Sequence, residues 1–122
     1  MRIRRMEFEL LVANAVRKLP LRYRRRLEGV AVVVEDEPSP EQRAELGLAP
    51  KEHLFGLYDG VPLTDPDRYS SPMGFPDRII LYQRTFERAC ANRHEVEEEI
   101  RLTIIHETGH HFGLDEDHLN HV

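Results

Sequence analysis

The sequence predicts one α+β (mixed α/β) domain, residues 1–122, in which a small mixed sheet of about three strands packs on an N-terminal and a C-terminal helix. Three observations support this prediction. Apolar residues recur at steps of three and four between residues 6 and 19, which is typical of an amphipathic helix. The run 30–34 is short and β-branched, as strands often are. Residues 95–111 form a long segment with an acidic start, which suits the positive end of a helix dipole.

Local breakers and caps set the bounds of the other elements. The run 30–34 is apolar throughout, so we expect this strand to be buried on both faces. The loop 59–77 is long for so small a domain, and such loops are often functional, so it is a candidate wall of a substrate cleft. The expected elements are a helix over 6–19 ended by Pro20, a helical turn over 23–27 ended by Gly29, the strand 30–34, a helix over 40–46 capped by Ser39 and ended by Gly47, strands over 53–58 and 78–82, a helix over 84–93, and the helix 95–111.

Composition excludes several classes of protein. Cys90 is the only cysteine, which rules out an intrachain disulfide and a cysteine-based zinc site. No apolar run approaches the roughly 20 residues of a membrane span. The basic N-terminal segment lacks the apolar core of a signal peptide. We therefore expect a cytoplasmic location and no membrane partner.

Charge is distributed unevenly along the chain. Residues 1–30 hold nine basic and three acidic side chains, a charge of +6, so the total of −5 leaves −11 for the rest. Basic surfaces of this kind bind nucleic acid in some proteins. Here aromatic residues are not interleaved with the arginine cluster, apart from Tyr23. We therefore interpret the cluster as a solvated helix face, which argues against a nucleic-acid partner.

The segment 106–116 carries the chemistry of this sequence. His106 and His110 stand four residues apart, so on a helix their rings project side by side and can share one zinc ion. The preceding residues 102–105 are mostly apolar, so we expect a helix buried from several directions as a rigid support for the metal. His111 points about 100° away from the pair and is expected in the core or behind the ligands.

Glu107 is the predicted catalytic residue. It follows the first histidine directly, so its side chain reaches beside the metal rather than binding it. A zinc ion lowers the pKa of its bound water toward about 7, and a neighbouring carboxylate can take the proton as general base. We expect no structural partner for this carboxylate, since holding the water accounts for its presence. Tyr58, Tyr69 and Tyr82 are candidates for stabilising an oxyanion, and the sequence does not choose among them.

The third metal ligand must come from outside the histidine pair, because a catalytic zinc site takes three protein ligands and a water. Gly113 can adopt positive φ, end the helix and turn the chain back under the histidines. Glu116 follows three residues later, at the spacing of the ligand in the elongated His-Glu-x-x-His-x-x-Gly-x-x-ligand motif. Glu116 is therefore the preferred third ligand, with Asp117 and then His118 as alternatives.

Several segments of the sequence resemble the bacterial mini-zincins, short zincin-like metallopeptidase domains long described as proteins of unknown function. The resemblance implies a minimal zincin-like fold with one zinc ion per chain on His106, His110 and the acidic residue after Gly113. That family commonly has aspartate at the third position, so Glu116 is a departure that keeps Asp117 open as the ligand. The segments that carry the resemblance are Val30–Pro40, Leu54–Leu63, Pro76–Tyr82 and Ile105–Asp117.

The sequence therefore predicts a zinc metallopeptidase that hydrolyses peptides or unfolded proteins. An edge strand over 53–58 would pair with an extended substrate. The alternative is a metal-dependent endoribonuclease, because some zincin-like folds process RNA and the N-terminal arginines suit phosphates. Glu107 argues against it, since such enzymes usually offer three histidines without a glutamate beside the first. A third hypothesis is a non-catalytic zinc-binding interaction module, favoured if the loop 59–77 closes the cleft.

Overall fold

The computed structural model describes residues 1–60 and 77–113, which form five helices and three strands. None of these helices is long and apolar enough to cross a membrane. The α+β class and the small mixed sheet are confirmed. The elements are helices α1 (Arg5–Arg17), α2 (Leu21–Arg26), α3 (Pro40–Glu45), α4 (Gln83–Ala89) and α5 (Arg93–His111), and strands β1 (Ala31–Glu35), β2 (Gly56–Asp59) and β3 (Arg78–Tyr82).

The central strand of the sheet is β3, in the order β1-β3-β2. It pairs in parallel with β1 and antiparallel with β2. Residues Ile79 to Tyr82 are fully buried, whereas Ala31 of β1 is exposed and the rest of β1 is half-buried. The prediction that the run 30–34 is buried on both faces is therefore wrong. β-Branched composition suits an edge strand as well as a central one, and burial follows from the position in the sheet.

The core joins the helices to the sheet and fixes α5 in place. Phe86 of α4 is fully buried, and its ring centroid lies 5.5 Å from that of Phe8 on α1 and 5.0 Å from that of Phe55, which precedes β2. From α5, the fully buried Ile100 and Ile104 join the same cluster, and their spacing of four places them on one helix face. The helix is therefore held by one side, and its other side is free to face solvent.

Helix caps explain why the predicted start of α3 is right and the predicted end of α4 is wrong. Ser39 begins α3 with the expected side-chain cap. The helix expected over 84–93 instead ends at Ala89. A new helix starts because the Asn92 side chain accepts a hydrogen bond of 2.9 Å from the backbone N–H of Glu95. This cap sets the start of α5, the helix that carries the candidate site.

Candidate active site

His106 and His110 lie in the last turns of α5, on its exposed side. Their ring centroids are 4.4 Å apart and their planes make an angle of 64°. Neither ring has a hydrogen-bond partner among the described residues. The helix is held from behind by Ile104 and Thr108, which are fully buried. The structure thus presents two imidazoles side by side on a fixed support.

The donor set fits a zinc ion as far as the described residues extend. Imidazole nitrogen is a common zinc ligand, and two rings this close on one helix face can bind the same ion. No group of three or more ligating side chains is assembled within residues 1–60 and 77–113. The predicted ligand Glu116 and its alternatives Asp117 and His118 lie outside these ranges, so their roles stay predictions.

Substitution of Glu116 tests the third ligand. Loss of a hydrogen bond that supports a metal ligand typically lowers metal affinity about 10- to 100-fold. Glu116→Ala removes the ligand itself, so we expect a larger fall in zinc affinity. The zinc affinities of Asp117→Ala and His118→Ala should stay close to that of wild type, because neither Asp117 nor His118 binds the ion in this assignment. Competition with a chromophoric chelator measures the affinities. A larger loss in Asp117→Ala would move the ligand by one residue.

Glu107 is half-buried and has a partner on the neighbouring strand. Its Oε1 atom accepts a hydrogen bond of 3.1 Å from the backbone N–H of Tyr58 in β2. The expectation that this carboxylate lacks a structural partner is therefore wrong. The Oε2 atom accepts no hydrogen bond from the described residues. One oxygen thus fixes the carboxylate beside the histidine pair, and the other is available to water or substrate.

Gly56 allows β2 and α5 to approach closely enough for this hydrogen bond. A Cβ atom at this position would lie 2.8 Å from the carbonyl oxygen of Ile80 and 3.0 Å from Cγ2 of Thr103 on α5. Any side chain there would therefore force β2 to shift against β3 and would press on the Thr103 side chain of α5. Sequence reasoning missed this residue, although a glycine inside a strand pattern is a known signal of close backbone approach.

The edge of β2 that points away from β3 faces the candidate site and pairs with no other strand among the described residues. The carbonyl of Phe55 accepts a hydrogen bond of 2.9 Å from the N–H of Tyr82, so Phe55 faces β3. Because residues of an antiparallel strand alternate in direction, the backbone groups of Gly56 and Tyr58 face away from β3. The hydrogen bond from Tyr58 to Glu107 has this outward direction. β2 is therefore an edge strand beside the site, as predicted, but it covers Gly56–Asp59 rather than 53–58.

His111, which was expected in the core or behind the ligands, stacks on Tyr58. Their rings stack with centroids 3.8 Å apart and planes at 13°. The Tyr58 hydroxyl donates to Asp77 Oδ2 at 3.0 Å, and His111 Nε2 lies 3.6 Å from the same oxygen. These contacts fix the residue whose amide holds the Glu107 carboxylate. Among the oxyanion candidates, Tyr82 is fully buried and Tyr69 lies outside the described residues.

An apolar groove of about 790 Å³ opens beside the pair and includes His106 and Glu107 in its lining. The prediction that 102–105 is buried from several directions holds for Ile104 and Ile105 but is wrong for Leu102, which is 45% exposed. Its side of α5 faces the groove rather than the core. The apolar lining includes Leu46, Leu48, Leu54, Leu102 and Ile105.

A His-Glu-x-x-His helix packed beside the edge strand of a mixed sheet is the arrangement of zincin-like domains. This chain belongs to the zincin-like metallopeptidase family, whose model matches residues 27–122. The predicted resemblance is thereby confirmed at the level of the family. Zinc binding is a general property implied by this membership.

A solved structure supports the same fold. A conserved hypothetical protein from T. thermophilus is 27% identical in sequence, superposes with a TM-score of 0.54, and aligns over 87% of this chain and 91% of its own. No curated protein matches this chain. The comparisons therefore establish fold and family, and the chemistry has to be argued from the site.

Proposed function

We propose that this protein is a zinc-dependent peptidase that hydrolyses peptide bonds in extended or unfolded polypeptides. The observation that carries the proposal is the position of Glu107. Glu107 directly follows His106, the first of the two candidate metal ligands. Its Oε1 atom accepts a hydrogen bond from the Tyr58 amide, and its Oε2 atom has no partner among the described residues. A carboxylate fixed in this way suits a general base.

The chain's own residues divide the work as follows. A zinc ion would be held by His106 and His110 together with a third ligand after Gly113, for which Glu116 is preferred. That ion would act as a Lewis acid and make water easier to deprotonate. Glu107 takes a proton on Oε2 from the water whose oxygen bonds to the carbonyl carbon, and gives it to the amine nitrogen as the carbon–nitrogen bond breaks. The hydrogen bond from Tyr58 keeps the carboxylate in place during both transfers.

The neighbouring surfaces suit an extended peptide substrate. The outward N–H of Tyr58 is held by Glu107, so an extended chain would add to the remaining outward backbone groups of β2, because edge strands accept main-chain hydrogen bonds. The apolar groove next to His106 then receives one of its side chains. Folded proteins rarely present such a segment, so unfolded proteins and peptides are the proposed substrates. We propose that the reaction takes place in the cytoplasm.

The proposal is tested by cleavage of a quenched-fluorescence peptide library and of casein by the zinc-loaded protein. Cleavage should stop when a chelator is added and return when zinc is restored. If the library and casein both stay intact, the peptidase proposal fails. Cleavage of single-stranded RNA under the same conditions would then support the endoribonuclease alternative, and zinc binding without either activity would support the interaction module.

Leu102→Gln tests whether the groove selects apolar side chains. We expect wild-type protein to prefer leucine over alanine next to the scissile bond by about 10-fold or more in kcat/KM, since single methylene groups in apolar pockets discriminate on that scale. The variant should lose most of this preference. Leu10→Gln is the matched control, because Leu10 is also exposed on a helix but lies away from the groove. An equal preference in both variants would contradict the assignment.

A further inference from the structure

The short helix α2 carries a strongly basic surface. Four of its six residues are arginine, in the sequence Leu-Arg-Tyr-Arg-Arg-Arg, and all four are exposed. Tyr23 is fully buried and anchors the helix in the core, so the arginines project outward. Basic residues suit the last turn of a helix because of its dipole. That effect explains one or two charges but not four.

Three of these arginines differ from most arginines of the other helices. Arg24, Arg25 and Arg26 have no carboxylate in ion-pair contact among the described residues, and Arg24 donates only to the carbonyl oxygen of Arg17 at 3.2 Å. Adjacent like charges repel each other, so their concentration needs a reason. Ion pairs elsewhere join Arg5 to Asp36, Arg88 to Glu37, Arg93 to Glu7 and Arg101 to Glu98.

The basic surface adjoins the candidate active site. The guanidinium of Arg26 lies over the ring of Phe112, with its Cζ atom 5.2 Å from the ring centroid. Phe112 caps α5 two residues after His110, and its ring contacts Tyr58 at a centroid distance of 6.1 Å. The arginines therefore continue the rim of the site beyond the end of α5.

The histidine pair lies between two different surfaces. The apolar groove follows α5 from Glu99 to Glu107, and Arg26 lies beyond the other end of the helix. Leu102 and Phe112 are ten residues apart, which is about 15 Å along a helix. That distance corresponds to about four or five residues of extended peptide. One substrate segment can therefore reach both surfaces.

We propose that Arg24, Arg25 and Arg26 bind an acidic segment of the polypeptide substrate, outside the catalytic cleft. This inference rests on the proposed peptidase function and adds a substrate class to it: unfolded segments with acidic residues a few positions from the scissile bond. Arginine suits this role because its planar fork pairs with carboxylates. The attraction also raises the rate of encounter with acidic chains.

An acidic polypeptide fits the charge distribution better than a nucleic acid does. The net charge of the chain is −5, which is the sum of +6 in residues 1–30 and −11 in the remaining residues. A nucleic acid bears a charge at every nucleotide, so its length beyond the arginines would meet this acidic remainder. A short run of aspartate or glutamate presents its charge only where the arginines are. The proposed occupant is therefore a local acidic cluster.

Binding and cleavage by the full chain test the proposal together. The probes are a fluorescent peptide with about six glutamates, its glutamine counterpart and a single-stranded RNA of equal charge. At low salt the glutamate peptide should bind at least about threefold more weakly to Arg24→Gln/Arg25→Gln than to wild type, and about 0.5 M NaCl should abolish the difference. Arg2→Gln/Arg4→Gln is the matched control, since both arginines are exposed. They precede α1, whereas the basic surface follows it, and α1 is about 20 Å long.

Each outcome decides one part of the proposal. In cleavable peptides, an acidic extension should lower KM with kcat unchanged, because a contact away from the reacting atoms acts on ground and transition states alike. Equal weakening in both double variants, or cleavage indifferent to the extension, would overturn the docking surface and leave the peptidase. Charge-dependent binding without any cleavage would overturn the peptidase instead. Tighter binding of the RNA would overturn the choice of occupant.

Discussion

Glu107→Gln should abolish most peptide hydrolysis while the protein keeps its fold and its zinc. Glutamine has nearly the same shape as glutamate, and its amide oxygen can still accept the hydrogen bond that the Tyr58 amide donates to Glu107 in the structure. It cannot take a proton from water. We therefore expect a fall in kcat of about 10²- to 10⁴-fold, the range typical of a lost general base.

The measurement is cleavage of the best peptide from the library, with zinc content determined in the same samples. Glu98→Gln is the matched control, because Glu98 is exposed on the same helix and only forms a surface ion pair with Arg101. Its rate should equal that of wild type. If Glu107→Gln cleaves as fast as the control, Glu107 has no part in proton transfer. A variant that has lost its zinc would show a structural role instead.

Local sequence patterns predict much of the site. Helix periodicity places His106 and His110 on one face of α5, and in the structure their ring centroids are 4.4 Å apart. Gly113 adopts φ of 71° immediately after the helix cap, as the predicted turn requires. The strand predicted over 78–82 has the observed bounds. Each of these features depends on neighbours within a few residues, which is the range that sequence patterns report.

Contacts between distant residues explain what sequence reasoning missed. Glu107 and Tyr58 are 49 positions apart, and only the pairing of β2 with β3 beside α5 brings them together. The sequence also does not show that Gly56 lies against the carbonyl of Ile80 and the side chain of Thr103. A glycine inside a strand signals a close approach, but the groups that approach it are set by the assembled fold and not by the local sequence.

The burial of apolar segments was misjudged for the same reason. The run 30–34 and Leu102 are as apolar as true core segments, and a pattern cannot tell a core from an edge or a groove. In the structure, β1 lies at the edge of the sheet and Leu102 faces the cleft. Exposed apolar residues next to a candidate site are therefore better indicators of binding than of faulty packing.

Loss of either histidine should abolish zinc binding without harming the metal-free protein. Wild type is expected to hold one zinc ion per chain, and His106→Ala and His110→Ala to hold almost none. Both histidines are exposed and make no hydrogen bond with the described residues. Alanine also favours helices more than histidine does. The metal-free variants should therefore be as stable as metal-free wild type, within about 0.5 kcal/mol.

Elemental analysis and thermal unfolding with zinc and with chelator separate ligand loss from damage to the fold. At a zinc concentration about 1,000 times Kd, binding stabilises a protein by about 4 kcal/mol, which raises Tm of a domain this size by on the order of 10 °C. Wild type should show this rise, and His106→Ala and His110→Ala should not. The matched control is His94→Ala, an exposed histidine near the start of the same helix, which should respond as wild type does. Full zinc occupancy in His106→Ala would exclude His106 as a ligand, because the zinc would then be held elsewhere.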